Sequence, residues 1–200
     1  MEPFMVVIAG VGGQGTLLAS RLLAQSAIDD GHQVKIGETY GMAQRGGPVM
    51  SHILIGGKVR APQICPGEAD VLLGFEEGEA VRRGISYLKL GGLALVNSRR
   101  LPPVEVISGI VEYPSSNDLM SLLSKVTDNI VSFDAMALAE EAGDPITVNV
   151  VMLGALCESR LLPFSEAAVI EALTRTLRPA YHAVNLKAFK LGKRAFREGL

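Results

Sequence analysis

This sequence predicts an α/β fold: a mostly parallel sheet with helices on both faces and a helical C-terminal part. Three observations carry the prediction. Short apolar runs alternate with helix-period segments up to about residue 140. The first run, Phe4 to Ala9, passes directly into Gly10-Val11-Gly12-Gly13-Gln14-Gly15 and then into a helical pattern, the order of a Rossmann-like nucleotide fold. From Ala135 onward the pattern is mostly helical.

Taken in order, residues 4–9 read as a buried parallel strand, apolar throughout and ended by glycine. Residues 14–30 read as a helix, because Leu17, Leu18, Leu22, Leu23, Ala27 and Ile28 recur at helical spacing before Gly31 ends it. Residues 33–38 are a second strand, 39–47 a glycine-rich polar loop, and 49–55 a third strand with Gly56-Gly57 turning toward 58–60. Asp70 to Phe75 is a core strand, 76–87 a helix and Gly92 to Asn97 the next strand. Val104 to Ile107 reads as a short edge strand after Pro102-Pro103. Residues 115–127 look helical and Ile130 to Phe133 extended. Helices are then expected over 149–161, 165–177 and 179–197, with Ser165 as an N-cap and Pro179 in a first turn. With no repeat or linker, residues 1–200 are expected to form one domain, a sheet core to about residue 145 and a helical part from about 146 to 200.

Composition narrows the function classes. Hydrophobic residues make up 48% and the net charge is −2, so no overall positive field points to nucleic acid. Lys187, Lys190, Lys193, Arg194 and Arg197 are spaced like a solvated helix face. The two cysteines, Cys65 and Cys157, make neither a disulfide framework nor a CxxC, and an iron–sulfur cluster usually takes four thiolates. His32, His52 and His182 lack metal-ligand spacing. No apolar run reaches membrane-spanning length and no signal-peptide pattern opens the chain, so cytoplasm is expected.

The first glycine loop has a physical task. Gly10 permits the tight turn off the strand, Gly12 lets backbone approach a phosphate and Gly15 lets helix and strand pack. The helix start behind it offers unpaired N–H groups to an anion. Glu38 falls roughly 20 residues further on, where a dinucleotide enzyme would place its ribose ligand. The competing reading is that the glycines serve only the turn. No Gly-Lys-Ser/Thr follows, so this is not a P-loop.

A second loop brings Glu38, Tyr40, Gln44, Arg45, Gly46, Gly47 and His52 within fifteen residues. Arg45 has the planar fork that binds a carboxylate or phosphate; equally, it could pair with Glu38 and hold the loop. His52 alternates with Met50 and Leu54 and is expected to be a hydrogen-bonded core histidine. Asn149 is expected to cap its helix, and Met42, Met50 and Met152 to pack.

The two loops together resemble a known family. Gly10-Val11-Gly12-Gly13-Gln14-Gly15, then Glu38-x-Tyr40-Gly41-Met42-Ala43-Gln44-Arg45-Gly46-Gly47, then Ser51-His52, are similar to the gamma-type domain of 2-oxoacid:ferredoxin oxidoreductases. Within that family they look most like the beta subunits of indolepyruvate ferredoxin oxidoreductases, although Tyr40 stands where that pattern more often has histidine. Asp70 to Leu73, Gly91-Gly92, Asn97-Ser98, Asn149 to Ala155 and Asn185 to Phe189 extend the resemblance over nearly the whole chain.

The resemblance implies a subunit of an enzyme that oxidatively decarboxylates a 2-oxoacid with coenzyme A, giving acyl-CoA, carbon dioxide and reduced ferredoxin. It implies thiamine diphosphate, Mg2+ and [4Fe–4S] clusters on a larger partner subunit, with none bound by this chain alone and no catalytic residue or metal site here. It also implies that Gly12, Gly13, Gln14, Gly15, Glu38, Tyr40, Gln44, Arg45, Gly46 and Gly47 line a cleft or coenzyme A entrance facing the partner's active site. The alternative is a free-standing NAD(P)- or nucleotide-binding Rossmann protein, and a third reading is a pure scaffold.

Overall fold

The computed structural model of the chain describes residues 2–40, 47–57, 61–102, 106, 108–110 and 112–199. Six described strands form one sheet: β1 (Phe4–Val11), β2 (Val34–Tyr40), β3 (Pro48–Ile55), β4 (Ala69–Gly74), β5 (Leu88–Asn97) and β6 (Ile130–Phe133). Their order across the sheet is β2-β3-β1-β4-β5-β6. β1, β4, β5 and β6 are successive parallel neighbours. β3 runs antiparallel to both β1 and β2. Of the expected strand Val104 to Ile107 only Val106 is among the described residues, and it is helical, not extended; the segment 58–60 lies outside the described residues.

Alternation across the pleat sends side chains to two cores. Val6, Ile8, Val71, Leu73, Leu93 and Leu95 join one cluster, whereas Val7, Ala9, Leu72, Ala94 and Val96 join the other. The second face is covered by α2 (Glu77–Tyr87) and α3 (Ser116–Leu123), through Ala80, Val81, Leu119 and Leu123. The first face carries α1 (Thr16–Asp29), α4 (Ala135–Ala142), α5 (Val148–Glu158), α6 (Glu166–Thr176) and α7 (His182–Glu198).

α5 is apolar around its circumference, and Val148 to Cys157 are all buried, as expected of a helix packed on every side. It meets α7 almost backbone to backbone. A Cβ on Gly154 would stand 2.1 Å from the Phe189 carbonyl oxygen, and one on Gly192 would stand 1.9 Å from that of Val151. Only glycine permits that approach.

Several boundaries differ from the sequence expectation. α1 starts at Thr16, because Gln14 and Gly15 complete the turn. β2 runs on to Tyr40, because the antiparallel ladder with β3 holds Thr39 opposite Met50 and Tyr40 opposite Val49. α3 stops at Leu123, short of 127, where Thr127 turns to donate its hydroxyl to the Gly92 carbonyl. The basic residues of α7 are more than a solvated face. Lys193 pairs with Glu158 and Glu166, Arg194 with Glu141 and Arg197 with Glu158, tying α7 to α4, α5 and α6. No helix among the described residues is long and apolar enough to cross a membrane.

Candidate functional site

The site is assembled at the C-terminal edge of the parallel strands, where open α/β sheets place their ligands. β1 ends at Val11, and Gly13 (φ 104°) and Gly15 (φ 76°) turn the chain into α1 in left-handed conformations that suit glycine. Gly10 is needed for a different reason. A Cβ there would stand 2.7 Å from Gln14 Oε1 and 2.8 Å from Phe75 Cβ.

Gln14 is buried and clamps the turn. Its Oε1 accepts the Val11 N–H at 2.8 Å, and its Nε2 donates to the Phe75 carbonyl at 2.8 Å. Asn97 donates to the same carbonyl at 3.0 Å, and its Oδ1 accepts the Ala135 N–H at 3.0 Å. One carbonyl thus links the ends of β1, β4 and β5 and the start of α4. Gln14 therefore contributes backbone to the loop's surface while its side chain is spent inside.

The second loop meets the first through Gly47. The Gly12 N–H donates to the Gly47 carbonyl at 2.9 Å, just before β3 begins. Glu38 and Tyr40 lie at the end of β2, and Glu38 stands opposite Ser51 in the ladder and accepts the Ser20 hydroxyl of α1 at 3.2 Å. The structure thus brings Gly12, Gly13, Gln14, Gly15 and Gly47 together and sets Glu38 and Tyr40 farther along the same edge. Gln44, Arg45 and Gly46 lie outside the described residues.

This geometry corrects the dinucleotide reading. In a Rossmann half the acidic second strand is β1's parallel neighbour. Here β3 is inserted between them, so Glu38 sits two strands away from β1, roughly 10 Å at ordinary strand spacing, and turns to Ser20. The reach needed for a ribose held over the glycine loop is lost.

Behind the loop lies a cavity of about 740 Å³. Gly12 to Gly15 and Leu18 form one wall, and residues from the start of α4, the 3₁₀ turn Pro145–Thr147, α5 and α7 form the others. Asn149 is not the cap expected of it. Thr147 holds the N-cap position, and Asn149, 3% exposed, is the second residue of the helix, against Gly15 and on the cavity wall. Spacing alone placed Asn149 at the helix start; the preceding 3₁₀ turn moved that start upstream. A second cavity of about 560 Å³ opens at the opposite edge, beside Asp70, Lys89, Asn129 and Phe196.

His52 behaves as expected. It is 1% exposed, its Nδ1 accepts the Ile64 N–H at 3.3 Å, and its ring meets Tyr87 edge-on at 4.9 Å. Burial, and then the Arg83 guanidinium, hold its pKa below the usual imidazole range.

The sequence reading missed a neighbouring acidic cluster. Glu76 and Glu77, 3% and 2% exposed, stand where β4 passes into α2. Glu76 accepts the Glu79 N–H at 3.0 Å and the Tyr113 hydroxyl; Glu77 accepts Arg100 Nε at 3.1 Å and the Ser116 hydroxyl. Burial, and then the Glu76 carboxylate, push the Tyr113 phenol well above its ordinary range. The signal was present in Phe75-Glu76-Glu77-Gly78-Glu79, an acidic run placed directly after a core strand.

The comparisons with known proteins agree with this architecture. Residues 5–195 match the family model of pyruvate ferredoxin/flavodoxin oxidoreductase. The chain is 42% identical over 201 residues to the indolepyruvate oxidoreductase subunit IorB of Pyrococcus horikoshii, covering 100% of this chain and 99% of that one. It is 40% identical over 187 residues to the subunit of the same name from Archaeoglobus fulgidus, covering 94% and 92%. Its fold superposes on the keto/oxoacid ferredoxin oxidoreductase gamma subunit of Geobacter sulfurreducens with a TM-score of 0.70 and 26% identity, covering 98% and 99% of the two chains. The free-standing Rossmann reading is not favoured by these likenesses any more than by the strand order. The chain belongs to the pyruvate ferredoxin/flavodoxin oxidoreductase family, as a small subunit of a 2-oxoacid:ferredoxin oxidoreductase.

Proposed function

We propose that this chain is the small subunit of an oxidoreductase of the indolepyruvate type, acting on an aryl pyruvate with coenzyme A and passing electrons to ferredoxin. The identity to the IorB subunits supports the substrate class. The observation that carries the site is the Gly12 N–H to Gly47 carbonyl bond, which joins the two glycine loops into one surface at the sheet edge. That surface, with Glu38, Tyr40, Gln44, Arg45 and Gly46 continuing it in sequence, faces the partner's active site and its coenzyme A entrance. Arg45 supplies the cationic contact to a substrate carboxylate or coenzyme A phosphate. The whole of 1–200 acts as one gamma-type domain, a reading supported by α5, which lies in the same core as β1 and β5. It works in the cytoplasm.

The thiamine diphosphate, Mg2+ and [4Fe–4S] clusters of the reaction belong to the larger subunit. This chain's own residues do not fit a cluster. It has two cysteines where four thiolates are usual. Cys157 is buried in one core, its thiol pushed up to about 12, first by burial and then by the nearby Glu166 carboxylate, while Cys65 is exposed on the loop after Ile64 of the other core.

Co-expression with the large subunit tests the proposal. Dye or ferredoxin reduction by indolepyruvate and phenylpyruvate should require both chains and exceed the rate with pyruvate or 2-oxoglutarate. Arg45→Ala should raise the KM for coenzyme A or 2-oxoacid roughly tenfold or more, as expected when a charge-assisted contact is removed. Full activity of the large subunit alone would overturn the subunit role. Unchanged kinetics of the Arg45 variant would overturn the role given to that side chain.

A further inference from the structure

We infer that the 740 Å³ cavity behind the glycine loop is a binding site for an amphipathic monocarboxylate, with its carboxylate at the start of α1 and its apolar body between α1, α4 and α7. The inference concerns this chain by itself and stands or falls separately from the role proposed for the assembled enzyme.

The anionic end is set by α1. Its N-cap is Gly15, which has no side chain to offer, and its first turn carries no acidic residue. The N–H groups of Gly13, Gly15, Thr16 and Leu17 donate to nothing among the described residues. A 14-residue helix with an uncapped start presents roughly half a positive charge there. The second observation is Asn149. Its side chain is buried on the cavity wall, its Oδ1 accepts the Val150 N–H at 2.9 Å, and its Nδ2 has no partner among the described residues. That Nδ2 lies 3.0 Å from where a Cβ on Gly15 would be. That amide donor opens onto the cavity, where a carboxylate oxygen at the helix start meets both it and the helix-start N–H groups.

The lining then restricts what carries the carboxylate. Among the described residues it includes no Lys, Arg or His, and its one charged residue is Asp144. A diphosphate or nucleotide phosphate of charge two or more would meet that carboxylate with no cation among the described lining residues to offset it. The remaining walls are mostly apolar, with Leu18, Met136, Val148 and Leu177 within and Leu101 and Ile146 at the exposed rim, beside Tyr181 and the Asn185 amide, which donates to the Tyr181 carbonyl. The volume falls in the ordinary range for small-molecule pockets, which are mostly apolar with a few convergent polar groups.

The test is calorimetry on the full chain with 3-phenylpropionate, its neutral amide 3-phenylpropionamide, AMP and coenzyme A. The acid should bind at least tenfold more tightly than the amide, and neither nucleotide should compete with it. Asn149→Asp should weaken acid binding about tenfold. Because that position is buried, Ile146→Glu and Ile146→Lys at the exposed rim provide a pair that leaves the fold intact. At low salt the first should weaken the acid and the second should leave it unchanged or tighter, with the amide insensitive to both. Equal binding of acid and amide, displacement by AMP or coenzyme A, or no acid binding at millimolar concentration would each overturn the inference.

Discussion

Two adjacent strands of this sheet pass into helices at the same edge, and they do so in opposite ways. β1 enters α1 through glycines, without a capping side chain or a carboxylate in the first turn. β4 enters α2 through Glu76, Glu77 and Glu79; Glu76 caps the helix, Tyr113 receives the Gly78 N–H, and Arg100 and Ser116 close over Glu77. The two turns share the Phe75 carbonyl, which binds Gln14 from one side and Asn97 from the other. Topology makes both helix starts into possible anion sites. Side chains decide which one remains available: α2 carries its own anions, and α1 leaves its N–H groups to something from outside.

The largest effect is expected from forcing a side chain into the open turn. Gly10→Val would drive a Cβ against Gln14 and Phe75, and should cost about 3 kcal/mol or more in chemical denaturation, with the complex failing to assemble. If Gly10→Val kept wild-type stability, the clamp described for Gln14 would not be what shapes the loop.

On the sealed side, Arg100→Ala leaves the buried Glu77 carboxylate with the Ser116 hydroxyl as its one side-chain partner among the described residues. The arginine is partly exposed, so the expected loss is roughly 2 kcal/mol, below that of a fully buried pair. Ligand binding at the α1 side should be unaffected. A loss of 3-phenylpropionate binding in this variant would mean that the two turns are coupled through Phe75 and are not independent.

The smallest effect is a pH dependence. His52 packs beside Tyr87 of α2, and burial followed by Arg83 lowers its pKa from 6.5. A histidine held neutral in the fold but free to protonate when unfolded contributes stability that is present above the unfolded value and lost as pH falls below it through the folded pKa. Melting curves should therefore drop on acidification below about pH 6.5, and His52→Asn should flatten that part of the profile. An unchanged acid slope in the variant would assign the dependence to other groups.

Much of this molecule was legible in the chain itself. Apolar runs and their alternation located the strands, because each strand must feed two cores with alternate side chains. Gly10 and Gly15 announced the turn, because a Cβ on Gly10 would strike Gln14 and Phe75 and Gly15 holds a left-handed φ of 76°. His52 was correctly read as a core residue from its alternation with Met50 and Leu54. Other properties depended on what lies opposite. The insertion of β3 between β1 and β2 is a matter of strand pairing, invisible in local periodicity, and it is what separates Glu38 from the glycine loop. Asn149 looked like a cap because spacing could not reveal the 3₁₀ turn ahead of it. Glu76 and Glu77 went unread because the groups that close over them, Tyr113, Arg100 and Ser116, are remote in sequence. Local chemistry by itself determined the elements and the family resemblance. Only the tertiary structure decided which helix start is sealed and which faces a cavity, because that depends on side chains brought in from distant parts of the chain.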